Sequence, residues 1–90
     1  MKKLYEFYWY CGRMGGLDGL FVAEELEVQK LVGKEIRFGE VLGKHSDVHG
    51  IFSESDLEVK TDDQDFISKL VKIVGNDTIS GFNPFDYYVE

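Results

Sequence analysis

His45 and His49 are the chain's two histidines, with Ser46 and Asp47 between them. Imidazole and carboxylate donors this close are the raw material of a transition-metal site, and a serine, a histidine and an aspartate are the parts of an acyl-transfer triad. The spacing serves neither chemistry well. Gly43 and Gly50 bracket the segment, so it reads as a turn between strands and not as one helical face. Two histidines and an aspartate fall short of a secure zinc site's three or four ligands. Consecutive residues on a turn do not converge as a triad does, and no oxyanion hole accompanies them. A metal-dependent hydrolase using His45 and His49 is carried forward as one alternative, with turn polarity as the preferred account. No catalytic residue, metal ligand or cofactor is assigned.

Four glycines fall within residues 12–19, in the order Gly12, Gly15, Gly16 and Gly19, with Arg13 among them. Backbone amides of a glycine-rich loop can cradle an anion, and an arginine can pair bidentately with phosphate or carboxylate. The pattern is neither the dinucleotide fingerprint nor a Walker sequence, and a strand is expected to follow it instead of a helix. Tyr8 and Tyr10 precede the loop on one strand face, where they can stack a planar ligand or anchor a protein contact. Tyr8, Tyr10, Arg13 and His45 are therefore the candidate lining of a pocket for a small anionic ligand or nucleotide, the second alternative.

The densest charge is acidic. Glu54, Asp56, Glu58, Asp62, Asp63 and Asp65 place six carboxylates in twelve residues, against Lys60. On a strand Asp56 and Glu58 share one face, opposite Leu57 and Val59, and the ridge runs on into the first turn of a helix. A solvated face is the plain reading; a docking surface for a basic protein, in part imitating DNA phosphates, is the functional one. The alternating ligands and central glycine of a calcium loop are missing. Cys11 falls on the apolar face of the first strand, as a small hydrophobe would.

These residues must be positioned by regular elements, and the chain supplies them. Residues 3–11 alternate as a strand, with Tyr5, Phe7, Trp9 and Cys11 facing the core and Leu4, Glu6, Tyr8 and Tyr10 on a partly covered second face. Such a strand belongs in the middle of its sheet. Residues 12–19 form a loop, residues 20–22 the returning strand, and residues 24–32 a short helix with an apolar stripe of Leu26, Val28, Leu31 and Val32 and a glycine stop at Gly33. Strands follow over residues 35–42, with a bulge at Gly39, then 48–53 and 57–60. Their short links favour an antiparallel meander.

The clearest element is an amphipathic helix over residues 62–74. Phe66, Ile67, Leu70, Val71, Ile73 and Val74 make one stripe whose burial is worth on the order of 8–12 kcal/mol. Thr61 and Gln64 fit a capping box before it. The tail holds Phe82, Phe85, Tyr87 and Tyr88 and should fold back, with Asn83-Pro84 turning it. The fold class is α+β: a small, mostly antiparallel sheet of about five strands with two helices, ordered β-β-α-β-β-β-α, in one domain over residues 1–90.

A 43% hydrophobic, 14% aromatic chain of this length can bury a core. Its formal charge of −7 argues against direct nucleic-acid binding, which needs cations to displace phosphate counterions. One cysteine suits a reducing compartment, and neither a membrane-length apolar run nor a signal peptide is evident, so the expected location is the cytoplasm. In size, acidity and want of an enzyme constellation the chain resembles small accessory proteins of bacteriophages and other mobile elements. The leading expectation is a non-enzymatic protein-interaction module that docks on a larger, basic protein. An inhibitor of a host nucleic-acid-handling or defence protein is one form of it. The aromatic tail also allows a homodimer.

Overall fold

Alternation of large apolar and polar residues after Lys2 produces β1 (Lys2–Tyr10) in the computed structural model of the protein, which describes residues 1–43 and 47–89. It pairs antiparallel with β2 (Gly16–Glu24) in unbroken register, from Lys2 opposite Glu24 to Tyr10 opposite Gly16. The turn between them is one turn of 3-10 helix, Gly12–Met14, flanked by Gly15 at φ 100°.

The expected loop over residues 12–19 is thus too long by four residues, because Gly16 and Gly19 lie inside β2. They are there for close approach, not for turning. A Cβ on Gly16 would stand 2.6 Å from the Tyr8 hydroxyl, and one on Gly19 would run into the Phe82 carbonyl oxygen. Backbone crosses so near here that the Phe82 amide donates to the Asp18 carbonyl at 3.0 Å.

After α1 (Glu25–Leu31) come β3 (Glu35–Gly39), β4 (Val48–Ile51), β5 (Leu57–Thr61), α2 (Gln64–Val74) and β6 (Thr78–Gly81). A sixth strand is therefore present in the tail. All strand pairs are antiparallel, but the expected meander of the third, fourth and fifth strands is broken. β3 and β4 form their own hairpin, with the expected bulge where the register slips between Arg37 and Gly39. β5 leaves them to pair with β1, giving a sheet ordered β5-β1-β2-β6 with β1 and β2 central.

A 3-10 turn at Glu54–Asp56 redirects the chain, fixed by a capping box in which the Asp56 carboxylate accepts from the Ser53 amide at 2.9 Å. Beyond it Leu57 falls opposite Phe7 and packs against the main core. Burying an apolar strand end there outweighs continuing the hairpin.

The two faces of the sheet carry different cores. On one, Tyr5, Phe7 and Phe21 meet Val28 and Leu31 of α1, Ile36 and Phe38 of β3, Val48 and Phe52, with Trp9 and Cys11 partly buried at its margin. The tail folds back here as expected: Phe82 and Tyr87 contact the Phe38 ring, Phe85 contacts Phe21, and Tyr87 and Val89 bond to β3 through the backbone. Of the stripe expected on α1, Leu26 and Val32 are exposed.

The other face carries α2, whose Ile67 is 2% exposed between Leu4 and Val22, with Leu20, Leu70, Val71 and Ile79 around it. This helix starts at Gln64, two residues later than expected, because Asp63 is its cap, accepting from the Phe66 amide. Thr61 instead accepts from the Asp63 amide, and the Gln64 side chain reaches the carbonyls of Lys2 and Asp62. Gly75, at φ 78°, ends it in the left-handed conformation a glycine tolerates.

The apolar stripe is only half used. Phe66 is 49% exposed, Ile73 82% and Val74 42%, so burial on this face is worth roughly 3–6 kcal/mol instead of the 8–12 expected.

Candidate protein-docking face

Because β1 and β2 pair without slippage, side chains two apart share a face. Leu4 and Val22 lie under α2, so Glu6, Tyr8 and Tyr10 of β1 and Leu20, Asp18 and Gly16 of β2 continue the same face away from the helix. Glu58 joins it from β5, directly opposite Glu6. Among the described residues no element covers this stretch: Glu6, Asp18 and Glu58 are exposed, Tyr8 is 53% exposed with its ring laid over Gly16, and Tyr10 is 77% exposed.

Three carboxylates and two tyrosines thus share one open surface. Among the described ion pairs, Lys60 is the cation that enters it, at 3.7 Å from Glu58. Lys3 is held elsewhere by Glu25 at 2.8 Å, Arg37 by Asp47 at 3.6 Å and Lys30 by Glu27 at 3.3 Å.

α2 forms one wall of this surface. At 100° per residue, Ile67 points at the sheet, with Gln64, Ser68 and Val71 on one flank and Phe66, Leu70 and Ile73 on the other. The first flank borders Lys2, at the end of the sheet. The second therefore looks toward Glu6 and Leu20 and out over the open face.

The sequence-derived ridge is not one surface. Asp56 is committed to its Ser53 cap and borders a different cleft, Asp63 caps α2, and Glu54 lies beside Tyr5 and Val28 on the main-core side. The expected pairing of Asp56 with Glu58 on a strand face fails because Asp56 belongs to the 3-10 turn and β5 begins one residue later. Asp62 and Asp65 are exposed near the start of α2, and of the six only Glu58 lies on the open sheet face.

Sequence reasoning missed Glu6, Asp18 and the exposed flank of α2. Alternation along β1 did put Glu6 with Tyr8 and Tyr10, whereas the glycine-rich segment hid Asp18 inside a presumed loop.

Arg13 is exposed in the turn between β1 and β2, where the amides of Cys11 and Gly15 are spent on the carbonyls of Gly15 and Gly12. An anion cradle loses two donors in that way. His45, with Ser46, lies outside the described residues. His49 stands on β4 opposite Arg37, 3.9 Å from Glu35, and among the described residues no group of three or more metal-ligating side chains is found.

Tyr10 and His49 border a cleft of about 320 Å³ with Trp9, Asp47 and Asp56. Its charged lining is acidic, the wrong sign for an anionic ligand. Cys11 is partly buried against the core margin, its thiol directed to the Trp9 carbonyl at 3.8 Å.

No helix in the described chain is long and apolar enough to cross a membrane. Comparison with protein-family models, curated proteins and solved structures finds no match, so the functional reading rests on this chain's own residues.

Proposed function

We propose that this protein is a non-enzymatic interaction module, working in the cytoplasm, that docks the open face of β1, β2 and β5 onto a basic surface of a larger protein. The observation that supports it is the uncovered row of Glu6, Glu58 and Asp18 interleaved with Tyr8 and Tyr10. Glu6 and Glu58 stand directly opposite each other, an arrangement that costs sheet stability, and a cationic partner relieves that repulsion. Tyrosines in such a patch bring apolar area and a hydroxyl together, the combination enriched where binding energy concentrates. Complementary charge steers encounter and is screened beyond about 8–10 Å at physiological salt.

A basic partner is favoured over a second copy, because a twofold contact through this face would set the same carboxylates against one another. An inhibitor of a nucleic-acid-handling or defence protein is a natural form of the activity, since such proteins carry basic surfaces. The test is affinity capture from extract of the source cells with the native chain and with the triple variant Glu6→Gln, Asp18→Asn, Glu58→Gln. A basic protein held by the native chain, released by salt and lost with the triple variant supports the reading. Capture unchanged by the triple variant removes it.

A further inference from the structure

We propose that the open face seats one α-helix of the partner, laid beside α2, apolar where it meets α2 and lysine- or arginine-bearing where it meets the sheet. The inference rests on the docking reading above and names the shape of what docks.

The open face has room for one helix. Rows of side chains on the face, Glu6 with Leu20, Tyr8 with Asp18, and Tyr10 with Gly16, follow at about 6.7 Å intervals along the strands. α2 covers the Leu4–Val22 row and reaches Leu20. The rows beyond span about 13 Å, and a helix with its side chains is about 10 Å across. That width accepts one helix.

The flank of α2 supplies an apolar wall. Phe66, Leu70 and Ile73 follow the i, i+4, i+7 spacing of one helix face, the kind of apolar stripe another helix packs against. Leu70 is half-buried against the Leu4–Val22 core, but Phe66 and Ile73 are exposed, so the outer part of this stripe is left bare among the described elements. A sheet with a helix over only one end of its face is an incomplete layer, and a second helix completes it.

The floor beneath that position holds Glu6, Asp18 and Glu58, so the completing helix is basic on its lower side.

The test uses the isotope-labelled protein and synthetic 15-residue probes of lysine and leucine. One probe places its leucines on a single helical face, a second has the same composition permuted so that they do not, and a third replaces lysine by glutamate. The expected result is that the patterned lysine probe shifts the amides of Glu6, Tyr8, Asp18, Leu20, Phe66 and Ile73, gains helical circular dichroism, and binds at least tenfold tighter than the permuted probe. The glutamate probe should not bind. The double variant Phe66→Ser, Ile73→Ser should keep the native spectrum of the protein and weaken the patterned probe at least fivefold.

Equal binding of the permuted probe on this face overturns the helix while leaving the acidic docking reading in place. Shifts elsewhere, no binding, or self-association of the protein through this face overturns both.

Discussion

Glu58→Lys should make the protein more stable while destroying its proposed activity. Glu6 and Glu58 are directly opposed across the β1–β5 ladder, and both are exposed. Cβ atoms of directly opposed residues lie about 5 Å apart, and two unit charges about 6 Å apart in water repel by about 0.7 kcal/mol. Reversing one charge turns that repulsion into an attraction of similar size. Against this stand the loss of the Lys60 contact, which at 3.7 Å between exposed side chains is worth about 0–0.5 kcal/mol, and the lysine–lysine repulsion that replaces it, of about the same size.

The net gain is about 0.4–1.4 kcal/mol. For 90 residues the unfolding entropy is about 0.19 kcal/mol/K, so Tm should rise by about 2–7 °C. Thermal melts by circular dichroism at low salt and in 1 M NaCl measure it, and screening should shrink the gain at high salt. Glu58→Gln should yield about half the rise. A fall in Tm for Glu58→Lys, or a gain that salt does not touch, would show that the two carboxylates do not repel as this register requires.

Ile67→Ala should cost about 2–4 kcal/mol, read as a lower urea midpoint, because Ile67 is the one fully buried contact of α2. Gly19→Ala should cost about 1–3 kcal/mol and loosen the aromatic tail, since its methyl group meets Phe82 backbone and not a yielding side chain; the Phe82 and Tyr87 ring signals report it. The Lys3–Glu25 pair sets a pH signature. Its hydrogen bond holds the Glu25 carboxyl below its ordinary range and the Lys3 ammonium above its own. Stability from Glu25 is complete above about pH 4.3 and is lost as pH falls through the lower folded value; that from Lys3 is complete below about pH 10.4 and is lost as pH rises through the higher one. Burial raises Tyr5 and adds to the alkaline loss. Urea midpoints measured across pH should therefore show a shallower acid decline in Glu25→Gln.

What could be read from residue order was local. Alternation from Leu4 to Cys11 marked a central strand and its core face, and the spacing of Phe66 to Val74 marked the second helix. The flexible arithmetic of glycine misled, because a glycine inside a strand at a close crossing looks like one in a turn until the crossing backbone is known, and Phe82 is more than sixty residues from Gly19. The meander failed for a similar reason. Short links favour neighbours, yet a capped 3-10 turn of three residues was enough to send β5 to another sheet.

The acidic ridge depended on carrying one face through that turn, and with the turn present its carboxylates point several ways. Amphipathicity fixed which residues of α2 are apolar but not how much of the stripe a narrow sheet would cover. The candidate face lies in that difference, between the 160° of apolar helix surface implied by Ile73 through Val71 at 100° per residue and the part that Leu4 and Val22 occupy.

The placement of β5 beside β1 has a consequence for how the molecule assembles. β1 and β2 close a hairpin through a five-residue connection, an event of microseconds. β5 must find β1 across some fifty intervening residues, and the folding rate of a small domain falls as such distant pairings dominate. Until it arrives, the Leu4–Phe7 edge of the hairpin stands open, able to accept a strand from any other chain. Glu6 sits in the middle of that edge and would meet the same glutamate in an antiparallel pairing of two such hairpins centred there. The charge that weakens the finished sheet slightly is thus also a guard on the unfinished one, and a nascent chain lacking it should aggregate while refolding even where its native state is the more stable.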